Sequence, residues 1–254
     1  MPLKVMIRPF WQRIRLGEGG LVGMATWAAA WGSRSPVTTT YVFVLTTLLL
    51  VSLYLYNDVS DRQIDAHNPK KIAQHREPLL QHPRLFLFLA IALHVAVCLI
   101  AWQLLGPMAG ACAASLLLLG PIYSAMAKQV PGIDVVVVGV MGGAVVGLAT
   151  SSLSLLLMSA AMTGVSHAFQ TQVDAKADLA SGIRSSGTAP AALRTLIWLG
   201  LVGAFAGTAM LRLGPLWAVS GVIPYLLLTR AEDPNRAWGC ARVYFATVWI
   251  AATV

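Results

Sequence analysis

Charge is scarce in this chain. Of its 254 residues only 11% are charged, 57% are hydrophobic, and the mean hydropathy is +0.71. Several apolar runs reach the roughly 20 residues that cross a bilayer, which excludes a water-solvated globule and defines a polytopic membrane protein. Length allows a single domain over residues 1–254. Cysteine is rare as well: Cys98, Cys112 and Cys240 lie singly inside apolar segments. No metal-ligand spacing links them, which leaves packing as their role. Acids are outnumbered, 10 against 18 lysines and arginines, for a net charge of +8. In a soluble protein that balance would suggest nucleic acid. In a membrane protein it marks basic cytoplasmic loops, and no nucleic-acid partner is expected.

What is present divides into nine expected spans. A lead-in, Met1–Arg15, carries Lys4, Arg8, Arg13 and Arg15 among apolar residues and reads as a basic interfacial segment. No apolar core with a small-residue cleavage site follows it, so a cleaved signal peptide is not expected. Spans are expected at about residues 19–31, 37–56, 85–105, 107–127, 133–150, 153–172, 191–211, 214–228 and 237–253. Polar loops at 66–84 and 173–190 are expected to cap the cytoplasmic side. Gly139, Gly143 and Gly147 recur every fourth residue in span five, a pattern that lets a neighbouring helix approach closely. With the N-terminus inside, every lysine and arginine except Arg34 and Arg212 falls on the cytoplasmic side. That bias supports the count and a multi-pass protein with cytoplasmic N-terminus and active-site loops. A bacterial cell membrane is the expected location. Trp and Tyr near span ends read mainly as interfacial anchors, and His94 as a helix-packing residue.

The few acids gather. Between Val37 and Tyr56 there is no charge, and then Asn57-Asp58-Val59-Ser60-Asp61-Arg62-Gln63-Ile64-Asp65 brings three carboxylates. On a helix turning about 100° per residue, Asn57, Asp58, Asp61 and Asp65 share an arc about 100° wide. Like charges so close repel unless a cation sits among them. Mg2+ takes such oxygen ligands, keeps some waters and shares its shell with a substrate phosphate. The alternative is a solvated helix end, which the scarcity of acids elsewhere disfavours.

A second polar face ends span six. His167, Gln170, Thr171, Asp174 and Asp178 again fall within about 100° on a helix. Polar groups at that depth face a cavity or the bundle interior. Alone, Asp174-x-x-x-Asp178 reads equally as two loop acids beside helix-packing polar residues. Its pairing with the first motif, on the same membrane side, favours a site. His67, His75 and His82 have no close histidine partner and read as loop residues. Lys70 and Lys71 have a competing role as anchors to anionic lipid.

These residues carry a resemblance. Asn57-Asp58-x-x-Asp61-x-x-x-Asp65 resembles the first aspartate-rich motif of the UbiA superfamily of intramembrane prenyltransferases. Asp174-x-x-x-Asp178, followed by Gly182-Ile183-Arg184-Ser185, is similar to its second. Asn68-Pro69-x-Lys71 and Arg76 resemble the basic continuation of the first motif, and Tyr123-Ser124 with Lys128 resembles the family's tyrosine and lysine after span four. Two departures stand out: Arg76-Glu77-Pro78 where Arg-Pro is common, and Arg15-Leu16-Gly17-Glu18 beside the short first span. Both help frame the acceptor side, so the second substrate is less defined than the first.

The resemblance implies an all-α protein, about nine transmembrane helices bundled around a central cavity open to the cytoplasmic side. It implies that Asn57, Asp58, Asp61, Asp65, Asp174 and Asp178 hold Mg2+, the expected cofactor, against an isoprenyl diphosphate. Asp58, Asp61, Asp174, Asp178 and Tyr123 are the implied catalytic groups, with Tyr123 orienting the phosphate or facing the allylic cation. Asn57, Lys71, Arg76, Lys128 and Arg184 are the implied diphosphate contacts. His167, Gln170, Thr171, Trp27 and Tyr54 are the implied acceptor or cavity residues.

Three functions fit. The first is prenyl transfer to a small aromatic or lipid-precursor acceptor with release of pyrophosphate, and it leads because transferases dominate the family. The second is a terpene cyclase on the same scaffold, whose closed aromatic pocket Trp27, Tyr54, Tyr123 and Phe169 would supply. A transferase instead needs an opening for its acceptor, with Arg15, Glu18, His167 and Gln170 to orient it. The third is an ion-coupled transporter, disfavoured because the acids lie at cytoplasmic helix ends rather than near the bilayer midplane.

Overall fold

The computed structural model describes residues 34–62, 81–180 and 182–189, with isolated positions at 25, 26, 28–31, 79 and 249. Every regular element among the described residues is helical. The main elements are α1 (Pro36–Ser60), α2 (Pro83–Leu105), α3 (Pro107–Ala125), α4 (Ile133–Val146) and α5 (Leu153–Ala180). Short 3-10 turns follow α3 at Ala127–Gln129 and α5 at Ser186–Thr188. These helices stand where spans two to six are expected. Spans seven and eight and most of span one lie outside the described residues, and of span nine only Trp249 is described. By length and composition α1, α2 and Pro107–Gln129 are long and apolar enough to cross a membrane. The chain divides into two compact units, residues 1–124 and 125–254.

In the first unit, α1 begins at a capped turn. Ser35 Oγ accepts the Thr38 N–H at 3.2 Å, and Pro36 occupies the first turn, where a missing donor costs nothing. Thr39, Thr40 and Thr47 return their hydroxyls to carbonyls four residues back, so these polar groups stay satisfied in an apolar helix. The C-terminal half of α1 packs on the start of α2: Val51, Leu55 and Val59 meet Phe86 and Ala90 in one buried cluster. That cluster anchors the turn from which Asn57 and Asp58 project. Farther along, the buried His94 on α2 joins three helices. Its Nε2–H donates to the Ala113 carbonyl of α3 at 2.9 Å, and its Nδ1 lies 3.0 Å from Ser52 Oγ of α1. The packing role expected of His94 is what the structure shows.

In the second unit, α4 and α5 form an antiparallel pair in close contact. A Cβ added at Gly139 would lie 2.9 Å from the Ala160 carbonyl oxygen, and one at Gly143 would lie 3.1 Å from that of Leu156. Ser159 Oγ donates to the Gly142 carbonyl at 3.0 Å, a further tie across the pair. Gly147, the third glycine of the expected stripe, instead caps α4, its N–H donating to the Gly143 carbonyl. Two boundaries therefore need correction. Span five is expected to reach residue 150, but α4 stops at Val146, and residues 147–149 tighten through Leu148 N–H to Val145 and Ala149 N–H to Val146. Its 14 residues rise only about 21 Å, short of the roughly 30 Å hydrocarbon core. The loop expected at 173–190 begins later, because α5 continues through Ala180. Polarity rises where the chain leaves the apolar phase, whereas the backbone hydrogen bonds of the helix run on for two more turns.

Candidate active site: two aspartate-bearing helix ends

Asn57 and Asp58 occupy the last turn of α1, and Asp61 is its C-cap, with the Asp61 N–H donating to the Asn57 carbonyl at 2.8 Å. Asp58 is 4% exposed and Asp61 2%. Two carboxylates at the C-terminal pole of a helix oppose both each other and the helix dipole, so the arrangement calls for compensating positive charge. Arg62 supplies some of it to the backbone, its Nη1 donating to the Val59 carbonyl at 3.0 Å. At the end of α3, Ser124 Oγ donates to Asn57 Oδ1 at 3.4 Å, a long contact that orients the amide. Tyr54 and Tyr123 are both half-buried on these helices. Asp65, Lys71, Arg76 and Trp27, together with Arg15 and Glu18, lie outside the described residues.

The second motif sits on the last turns of α5, with Asp174 half-buried and Asp178 buried. The helix ends in a Schellman turn. Gly182 takes φ +74°, its N–H donates to the Leu179 carbonyl, and the Ile183 N–H donates to the Asp178 carbonyl at 2.9 Å. A residue with a side chain disfavours that left-handed backbone, which accounts for glycine at the position. The turn folds the chain back so that Ser185 Oγ donates to Asp178 Oδ2 at 2.6 Å. Arg184 beside it is exposed.

The same unit brings other expected residues together. His167 is hydrogen-bonded to Gln170 and lies within electrostatic reach of Lys128 and Asp134. Thr171 is buried, and its hydroxyl donates to the Ala168 carbonyl at 2.8 Å, while Gly187 packs against its backbone carbonyl. Thr171 thus serves helix packing here, and Phe169 is buried at 3% exposure. Sequence reasoning passed over Asp134 and Ser186, and it quoted Ser124 only beside Tyr123, with no role. Asp134 had a signal: it is the one acid between Glu77 and Asp174, set at the head of an apolar segment after Pro131-Gly132. Ser186 had none.

The donors of the first motif are hard oxygens, an amide and carboxylates, which suit Mg2+ rather than a softer metal. Among the described residues no three histidine, cysteine or acidic side chains converge as a metal cage. Mg2+ needs no such cage, since one or two carboxylates plus substrate phosphates hold it. The described donor set therefore fits.

A membrane-length helix that ends in two buried carboxylates defines a helical membrane protein with an oxygen-rich helix end suited to a cation. The model of the UbiA prenyltransferase family matches residues 20–248, and the chain belongs to that family. None of the curated proteins matches it at a significant level. Among solved structures, it is similar to a UbiA homolog from Archaeoglobus fulgidus bound to GPP and Mg2+. That likeness has a TM-score of 0.72 and 15% identity, covering 96% of this chain and 98% of the other. A digeranylgeranylglyceryl phosphate synthase structure gives a TM-score of 0.69 at 15% identity, over 97% and 96% of the two chains. The apo UbiA homolog from Aeropyrum pernix K1 gives 0.63 at 15% identity, over 97% and 98%. At such identities the likeness establishes the fold.

Proposed function

We propose that the protein is a Mg2+-dependent intramembrane prenyltransferase. It ionises an isoprenyl diphosphate and transfers the prenyl group to a small aromatic or lipid-precursor acceptor. The observation that carries this reading is the pair of buried carboxylates, Asp58 and Asp61, at the end of a membrane-length helix in a chain of the UbiA family. Relatives of the same fold bound to GPP or DMAPP with Mg2+ support the cofactor and the substrate class.

The first motif, Asn57, Asp58 and Asp61 continued by Asp65, and the second motif, Asp174 and Asp178, each offer oxygens that would hold Mg2+. When bound, Mg2+ neutralises diphosphate oxygens and makes pyrophosphate a better leaving group. Lys128 and Arg184 add fixed positive charge, and Lys71 and Arg76 belong to the same set by sequence. The bond between the allylic carbon and the diphosphate oxygen breaks, and its electron pair leaves on pyrophosphate. Cationic side chains stabilise that developing charge without reorganising. An electron pair of the acceptor then closes on the allylic carbon, and the acceptor gives up a proton. His167 and Gln170, hydrogen-bonded to each other, are assigned to orient the acceptor, and Tyr123 to orient the phosphate or face the cation.

The test is incubation of the purified protein with isoprenyl diphosphates of several lengths and Mg2+, with and without candidate acceptors. Pyrophosphate release that depends on an added acceptor is the expected result. A cyclic hydrocarbon formed without acceptor would assign a cyclase instead. No release from any isoprenyl diphosphate would sink both readings.

A further inference from the structure

Asp134 belongs to neither aspartate motif, yet its carboxylate is 1% exposed and fully engaged. It sits at the head of α4. Oδ1 accepts the N–H of Gly132 at 3.1 Å, the N–H of Val135 at 2.8 Å and the hydroxyl of Ser186. Oδ2 accepts the Ser186 N–H at 2.8 Å. Two of these donors belong to the helix start, where a carboxylate is favoured by the helix dipole. The other two belong to a residue 52 positions later in the chain. Capping α4 requires only the first pair. The second pair is a latch.

What the latch holds is the segment that returns from the second motif. Ser186 is fully buried, and its Oγ also accepts the Gly132 N–H at 2.7 Å. Its neighbour Ser185, 2% exposed, is the residue that donates to Asp178 Oδ2. On the far side, a side chain at Gly187 would collide with the backbone carbonyl of Thr171. The segment is therefore fixed at three successive residues: by Asp178, by Asp134 and by α5 itself. A side-chain hydroxyl orients a carboxylate only as well as its own backbone is held. Here that backbone is held by Asp134.

We infer that Asp134 is a positioning residue for the second aspartate motif, fixing Ser186 so that the adjacent Ser185 sets the orientation of the Asp178 carboxylate. The inference rests on the reading of Asp178 as a carboxylate that serves Mg2+ and diphosphate. Partners of this outer kind commonly govern metal affinity as strongly as ligands do.

The test measures Mn2+ binding, by electron paramagnetic resonance, to the full-length protein in lipid nanodiscs with inorganic pyrophosphate present. Asp134→Asn and Ser185→Ala should each weaken Mn2+ binding by about tenfold or more. The double variant should be no worse than the weaker single one, because both act through one connection. In turnover, KM for the Mg2+–diphosphate should rise more than kcat falls. Ser159→Ala, which breaks the Ser159–Gly142 tie in the same helix pair, should lower thermal stability and leave Mn2+ affinity unchanged. Should Asp134→Asn fail to fold, Ser186→Ala removes the hydroxyl's contacts with Asp134 and the Gly132 N–H, keeps the Ser186 N–H on Asp134 Oδ2, and carries the test with a smaller loss expected. Wild-type Mn2+ affinity in folded Ser185→Ala together with folded Asp134→Asn or Ser186→Ala would overturn the inference. If the native protein binds Mn2+ and pyrophosphate but turns over no isoprenyl diphosphate, the proposed function fails, while weakened binding in Asp134→Asn still upholds the positioning role. If the native protein binds no Mn2+, both fall.

Discussion

At the level of single residues, the first motif is set against its own helix. Asp58 and Asp61 are almost fully buried at the C-terminal pole of α1, where both the dipole and mutual repulsion disfavour negative charge. Function and stability should therefore respond in opposite directions. Asp58→Asn or Asp61→Asn keeps the shape of the side chain and removes one of the opposing charges. Turnover should fall by roughly 100-fold or more, the scale seen when one electrostatic group is deleted from a transition-state site. The melting temperature of the ligand-free protein, followed by circular dichroism, should stay level or rise. A parallel loss of both would show instead that these carboxylates are structural.

At the level of elements, the spacing between α4 and α5 is set by glycine. The gap at Gly139 is filled by the backbone carbonyl of Ala160, which cannot swing aside as a flexible side chain would. Gly139→Leu should force the helices apart and destabilise the protein by about 1–3 kcal/mol or more, the usual cost of overpacking. The measurement is unfolding of the purified variant beside Gly139→Ala, whose single methyl group should cost less. The helix pair also shows how far a sequence pattern reaches. A repeat of Gly139, Gly143 and Gly147 marks a close helix contact. Where α4 stops depends on a local turn at 147–149 that the repeat does not encode.

At the level of the whole molecule, metal and fold are expected to be separable. Backbone hydrogen bonds in a membrane helix are satisfied within the helix, so the helices need no ion to form. Treatment with EDTA should stop turnover completely and leave the far-ultraviolet circular dichroism spectrum unchanged. Added Mg2+ should restore activity. Loss of helical signal on chelation would make the ion a structural element and remove the basis for assigning it to diphosphate chemistry.

Membrane character, the helical class and the two aspartate motifs were legible in the chain alone. Apolar runs of bilayer length dictate helices, and acids clustered in a sequence so poor in charge stand out without any coordinates. The family match over residues 20–248 agrees with that reading. Other features needed the folded chain. Thr171 lies on the same helical face as Asp174 and Asp178, yet its hydroxyl turns to the Ala168 carbonyl of its own helix, and Gly187 packs against its backbone. Ser186 is an ordinary residue in the sequence and acquires meaning only where folding sets it beside Asp134, and the contact of Ser124 with Asn57 is likewise made by the fold. Helical periodicity is a local property, set within a few turns of chain. The partner of Asp134 is 52 residues away, and only the tertiary fold, through the turn at Gly182, decides that they meet.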